Sequence, residues 1–169
     1  MGSPFSNRRC AITLPRLLPL LALAWLGMAK PPAVTVRVFA EANEHDTNRF
    51  AAPVALKNPP RQAFIEKMPS LNERYIAAIY PFQADDGTWG CAFKLDAKGR
   101  IDLEVVSTER RGSSLVVFVG TKKGTHQVVD MVIDRRVTDG IISVPRGLTE
   151  MEIAALTREF KVMGQKGKR

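Results

Sequence analysis

Residues 75 to 82 and 88 to 95 are two strand-forming runs on either side of Ala84, Asp85, Asp86 and Gly87, a cluster that turns a chain for backbone reasons. The spacing predicts an antiparallel hairpin in which Phe82 faces Trp89, Tyr80 faces Cys91 and Ile76 faces Leu95. One side of that hairpin is aromatic and apolar throughout, so it must be covered by other elements. Cross-strand pairs of this kind contribute roughly 0.2–1 kcal/mol each beyond burial. The hairpin therefore demands a sheet with one dry face.

The flanking chain supplies candidates to cover it. Val34, Val36 and Val38 alternate with Thr35, Arg37 and Phe39, the pattern of a strand with one strongly apolar face. Ala51 to Leu56 and Gln62 to Glu66 are short strands separated by Asn58, Pro59 and Pro60. Glu41 to Arg49 reads as a polar loop, and Leu71 to Arg74 as a turn or short helix. Leu115 to Val119 is a continuous apolar run and hence a strand buried on both faces. Gly120 to Gly124 turns the chain into a strand over Gln127 to Ile133. Asp139 and Gly140 mark the next turn, and Ile141 to Val144 the last strand. Thr149 and Glu152 form a capping box, followed by the stripe Ile153, Leu156 and Phe160, which predicts a closing helix over about 149–160.

Residues 97 to 109 admit two readings. As a strand, Ile101, Leu103 and Val105 alternate with charges. As a helix, Asp96 is an N-cap and Leu103 and Val106 share a face, but Gly99 and the β-branched residues oppose it. The local pattern favours the strand.

The N-terminus points to export. Arg8, Arg9 and Arg16 precede the apolar run Leu17 to Met28, and Gly27 and Ala29 place small residues where a signal peptidase reads. Residues 1–29 are expected to be a cleaved signal peptide, leaving about 140 residues, one ordinary domain. The apolar run falls short of the roughly 20 residues a spanning helix needs, so retention as a membrane anchor is the lesser reading. Removing the segment also removes Cys10 and leaves Cys91 alone, so no internal disulfide can form and the domain is held by its core. With Gly90, Ala92 and Phe93 around it, Cys91 reads as a small buried hydrophobe.

The formal charge of +8 is unevenly spread. The three arginines of the signal and Lys161, Lys166, Lys168 and Arg169 of a basic tail account for all but one of the charges, leaving residues 30–160 at +1. A near-neutral domain with no aromatic residues among its tail charges excludes a nucleic-acid surface; the tail reads as a solvated end that can meet anionic lipid or an acidic partner.

The spacing of small and apolar residues resembles a known family. Gly99, Leu103, Val106, Ser107 and Gly112 followed by Leu115 to Val119, and then Val137, Gly140, Val144, Leu148, Thr149, Glu152 and Leu156, resemble the head portion of the large periplasmic domain of SecD, a subunit of the protein-export translocase. Upstream, Pro69, Leu71, Asn72, Glu73 and Ile76, with Asp86, Gly87, Leu95 and Asp96, resemble the lead-in to the same module. The likeness runs over residues 67–160, with 30–66 as preceding strands and loops and 161–169 as the tail. It implies an α+β fold, mostly antiparallel sheet with helices at about 98–108 and 149–160, in place of the alternative, an all-β meander with one C-terminal helix. It implies a module that contacts unfolded or partly folded polypeptide outside the membrane. The family's transmembrane helices carry its ion-coupled work, and none of that work is carried over here.

No catalytic constellation emerges, and neither enzyme activity nor a cofactor is expected. Glu41, Glu44, His45 and Asp46 hold metal-binding groups, but in a loop that reads as solvated acid. Ser107, Ser113 and Ser114 lack an elbow motif, and His126 has no second histidine or cysteine nearby. Gly120 and Gly124 lack phosphate-loop spacing. The arginine doublets are the surface feature of most interest: if 113–119 and 127–134 pair, Arg110 and Arg111 come close to Arg135 and Arg136, with Lys122 and Lys123 at the opposite end. Against a patch for a protein partner stands the reading that Glu109, Asp134 and Asp139 neutralise them. The expected role is thus an exported, non-enzymatic protein-binding module, periplasmic or secreted. The alternative is a small-ligand or glycan-binding domain, which requires Trp89, Tyr75 and Tyr80 to be exposed.

Overall fold

The computed structural model describes residues 33–43 and 50–164. The expected signal peptide, the cluster members Glu44, His45 and Asp46, and the tail cations Lys166, Lys168 and Arg169 lie outside the described residues.

Alternating valines make β1, Val34–Ala40, whose Val34, Val36, Val38 and Ala40 are buried on one side. A hairpin follows, β2, Ala51–Lys57, and β3, Pro60–Glu66, joined at Asn58 and Pro59. The two-residue β4, Leu71–Asn72, and a 3-10 turn at Glu73–Tyr75 lead into β5, Ile76–Gln83, and β6, Trp89–Leu95. Helix α1 spans Ala97–Glu109, β7 Ser114–Thr121, β8 Gly124–Val132, β9 Ile141–Leu148, and α2 Glu150–Glu159.

The strands form three antiparallel groups: a four-stranded sheet β4-β1-β7-β8, the hairpin β2-β3, and a three-stranded sheet β5-β6-β9. This is the α+β fold with two helices, and not the all-β meander. Strand β1 lies between β4 and β7, so residues 34–40 share a sheet with elements drawn from 67–160.

The main core joins the inner faces of the two larger sheets. Val36, Val38, Val117 and Val119 come from one, Ile79, Phe93, Ile142 and Val144 from the other, and Leu103, Ile153 and Leu156 from the helices. The hairpin covers the other face of the four-stranded sheet, where Leu56, Ala63 and Ile65 pack on Val116. Phe39 and Phe118 meet there edge to face, with ring centroids 5.5 Å apart. Strand β7 is consequently buried on both sides, as its unbroken apolar run predicts.

At 97–109 the chain is helical, and the local preference for a strand is overturned. Asp96 accepts a hydrogen bond from the Gly99 N–H at 2.7 Å, and Gly99, Leu103 and Ser107 form the buried side. Ile101 and Val105, the residues that suggested alternation, point outward and are about half exposed. Gly99 is where a helix-breaker becomes necessary: a Cβ there would stand 2.7 Å from the Tyr75 side chain.

The hairpin β5–β6 forms around the expected turn, but its register needs correction. Ile76 faces Leu95 as predicted; a bulge at Ala77 then shifts the pairing, so Tyr80 faces Ala92 and Phe82 faces Gly90. A one-residue shift sends every later side chain to the opposite face. Ile79 takes the core position opposite Phe93, while Tyr80 is 52% exposed on the outer face, 6.4 Å from the Phe82 ring.

The C-terminal end also departs from a solvated tail at its start. Val162 bridges Ile79 in parallel, with Ile79 N–H donating to the Lys161 carbonyl at 2.8 Å and Met163 N–H to the Ile79 carbonyl at 2.7 Å.

Candidate functional site: a cleft between two free strand edges

Strands β8 and β9 are the terminal strands of their respective sheets and approach each other without pairing. They touch at one end, where a side chain at Gly147 would come within 3.4 Å of Val128. At the other end they splay, opening a groove of about 520 Å³. Ser107, Leu115 and Ile133 form its buried bottom, and Val132, Arg135 and Ile141 its exposed rim.

Residues 133–140 cross the wide end of this cleft and are fixed to α1. The Val137 N–H donates to Ser107 Oγ at 2.9 Å, and that hydroxyl donates to the Glu104 carbonyl at 3.1 Å. Arg136 pairs with the Glu104 carboxylate, and its hydrogen bond and charge hold that carboxyl below the usual range. Gly140, at φ 67°, packs against the Arg100 side chain, and its carbonyl accepts from the Leu95 N–H at 2.9 Å. The cleft thus has one wall pinned to α1 and a buried floor.

The arginine doublets meet at the Ser114–Val132 end of the β7–β8 pair, as that pairing requires. Their guanidinium groups then diverge. Arg110 forms an ion pair with Glu66 at the end of β3, and Arg111 Nε donates to the Asp134 carbonyl at 3.0 Å. Arg136 is held by Glu104, which leaves Arg135 exposed on the cleft rim. The neutralising carboxylates are Glu66 and Glu104; the sequence pointed instead to Glu109, Asp134 and Asp139, because it does not show which carboxylates fold back onto this end. Lys122 and Lys123 form the far turn.

The other candidates have structural assignments. Ser107 is fully buried, its hydroxyl bonded between the Val137 N–H and the Glu104 carbonyl. Ser114 donates its backbone N–H to Glu41 at 2.8 Å. The same Glu41 carboxylate takes a two-pronged contact from Arg61, at 2.5 and 2.7 Å. Burial alone would raise the Glu41 pKa, but these bonds outweigh it and hold it below the usual range. His126 stands at the β8 edge, half exposed, 3.3 Å from the Glu152 carboxylate, which also completes the capping box with Thr149. Asp86 serves its turn by accepting from the Thr88 N–H and hydroxyl, which lowers its pKa. Among the described residues no three His, Cys, Asp or Glu side chains group as metal ligands would. The ring set that the sugar-binding reading needs is not assembled, since Trp89 and Tyr75 are partly buried against the core and Tyr80 alone stands out.

Asp130 escaped the sequence reading. It is 4% exposed on β8, and it accepts from the N–H groups of Lys57 and Asn58 at 3.0 and 2.6 Å and from Gln127 at 3.1 Å, anchoring the β2–β3 tip. An acidic residue inside an otherwise apolar strand, with turn amides left to satisfy, was the available signal.

No family model matches this sequence, and no curated protein is similar to it at the level of sequence. Solved structures are similar in fold. SecDF, described as a membrane component that enhances protein export, matches with a TM-score of 0.51 at 14% identity over 81% of this chain and 70% of that one. SecDF in its super-membrane-facing form matches with a TM-score of 0.50 at 15% identity over 77% of this chain but only 19% of that one. The likeness covers a larger share of the chain than residues 67–160 make up. Among the described residues no helix is long and apolar enough to cross a membrane. The chain therefore has the fold of a domain found in the protein-export component SecDF.

Proposed function

We propose that this protein is an exported, non-enzymatic binding module that takes an extended polypeptide into the cleft between β8 and β9, in the periplasm or outside the cell. The observation that carries this reading is the splay of two terminal strands over a buried apolar bottom. A strand edge presents unpaired backbone N–H and C=O groups, and an extended peptide satisfies them while its alternate side chains reach the pocket beneath. Leu115 and Ile133 suit an apolar side chain, and Arg135 at the rim favours a carboxylate nearby. Pro145 limits pairing beyond Val144, so the usable edge of β9 is Ile141 to Val144. The fold likeness to an export component supports the class of partner, an exported or partly folded chain.

The test is photo-crosslinking in the cell envelope. A photoreactive residue at Ile141 or Arg135 should form adducts with exported polypeptide held unfolded, while the same residue at Lys123, on the far turn, should form none. Equal adducts at Lys123, or none at Ile141 and Arg135 at native expression, would overturn the proposal.

A further inference from the structure

The alternation of a β-ladder decides which backbone groups of β9 meet the cleft. The Leu95 N–H donates to the Gly140 carbonyl at 2.9 Å, and the same register continues through Phe93 with Ile142 and Cys91 with Val144. Bonded and non-bonded pairs alternate along antiparallel strands, so Gly140, Ile142 and Val144 bond to β6. Ile141 and Ser143 turn their N–H and C=O groups the other way, toward the cleft that both residues line.

Most of that free edge is already closed. The Ile141 N–H donates to Asp139 Oδ1 at 3.0 Å. Pro145 has no N–H, and its carbonyl lies where a side chain on Gly90 would come within 2.5 Å of it. Further on, the Gly147 N–H donates to Thr88 Oγ1 at 3.0 Å. Between Ile141 and Pro145, Ser143 is therefore the residue that offers both an N–H and a C=O on the cleft side. On β8, Asp130 and Val132 both turn their groups away from β7, since the Ile133 N–H bonds to the Ser113 carbonyl at 2.9 Å. Two residues in series permit more than one register; the edge of β9 permits one.

Side chains follow the same alternation. Ser143 is exposed, whereas Ile142 and Val144 are buried in the core. A chain residue directly opposite Ser143 shares its face and keeps its side chain in solvent. The residues before and after it point to the core side, where Leu115 and Ile133 form the bottom of the cleft.

We propose that the Ser143 backbone sets the register of the bound polypeptide and selects a proline-free stretch of three residues, apolar at the first and third. A proline at the bonding position lacks the N–H that the Ser143 carbonyl accepts. This rests on the reading of the cleft as a polypeptide site and adds which groups hold the chain.

Amide exchange on the full chain tests it, with reduced and carboxymethylated α-lactalbumin as a permanently unfolded probe. Adducts from a photoreactive residue in place of Arg135 report whether the probe enters the cleft. Saturating probe should slow exchange of the Ser143 amide at least about fivefold, the size of one net hydrogen bond. The amides of Ile142 and Val144, already bonded to β6, should not change. Ser143→Pro removes the N–H from an edge position where proline is tolerated, and should cut the adduct yield at position 135 at least about fivefold. Exchange at Ile142 and Val144 shows whether that variant stays folded, and the Ser143 amide of the unsubstituted chain decides without it. Adducts at position 135 with no slowing at Ser143, or with full yield in folded Ser143→Pro, would overturn the register proposal and leave the cleft reading standing. No adducts at position 135 in the chain that keeps Ser143 would overturn both.

Discussion

The Asp130 carboxylate on β8 accepts from the Asn58 N–H at the β2–β3 tip at 2.6 Å, a link between residues 72 positions apart. The same oxygen accepts from Lys57, and the other from Gln127. This is how the hairpin is held at its tip, while Leu56, Ala63 and Ile65 hold its face and a bridge between Ile65 and Glu41, just past β1, ties its other end, with the Ala42 N–H donating to the Phe64 carbonyl at 2.8 Å.

Asp130→Ala should therefore cost about 2–3 kcal/mol, the usual range for losing charged hydrogen bonds and leaving amides unsatisfied. Urea unfolding would measure the loss, and amide exchange should rise first at Lys57 and Asn58. Unchanged exchange at those two amides would contradict the anchoring role.

Glu41 gives a defined acid sensitivity. Its carboxyl titrates below the ordinary range in the folded chain, so its contribution is present above the unfolded pKa and is lost as pH falls through the folded one. Stability of the wild-type protein should drop more steeply below about pH 4.3 than that of Glu41→Gln. Parallel acid unfolding curves for the two proteins would refute it.

Cys91 behaves in the opposite sense. Burial pushes its thiol up to about 12. An unfolded thiol releases its proton near pH 8.5, so between that pH and about 12 the unfolded state binds fewer protons, and stability falls as pH rises. In a Cys10→Ser background the folded protein should resist alkylation at pH 8 and react only at its unfolding rate, which a maleimide time course with and without urea would report. Rapid labelling of the native protein would show that the thiol is accessible.

The elements that the sequence made legible are those whose signal is local. The Thr149–Glu152 capping box, the valine alternation of β1 and the Asp86–Gly87 turn each fix geometry within a few residues, and each forms where expected. Residues 97–109 were ambiguous locally because Ile101, Leu103 and Val105 alternate equally well along a strand; only the family likeness favoured the helix. For the candidate site, the pairing that gathers the arginine doublets followed from two strands and a turn. Which guanidinium remains free did not follow, because Glu66 and Glu104 lie 44 and 32 residues from their partners.

By itself the sequence determined most of the strands, the closing helix and their order, since these depend on periodicity, caps and turn residues, but not the state of residues 97–109. Only the tertiary structure decided that a bulge at Ala77 turns Tyr80 outward and that β8 and β9 stop short of pairing and leave a cleft. It alone placed Asp130 beneath the hairpin tip. Those outcomes arise from packing between residues far apart in the chain, where a shift of one position, or a few ångströms between two sheet edges, changes which groups meet solvent.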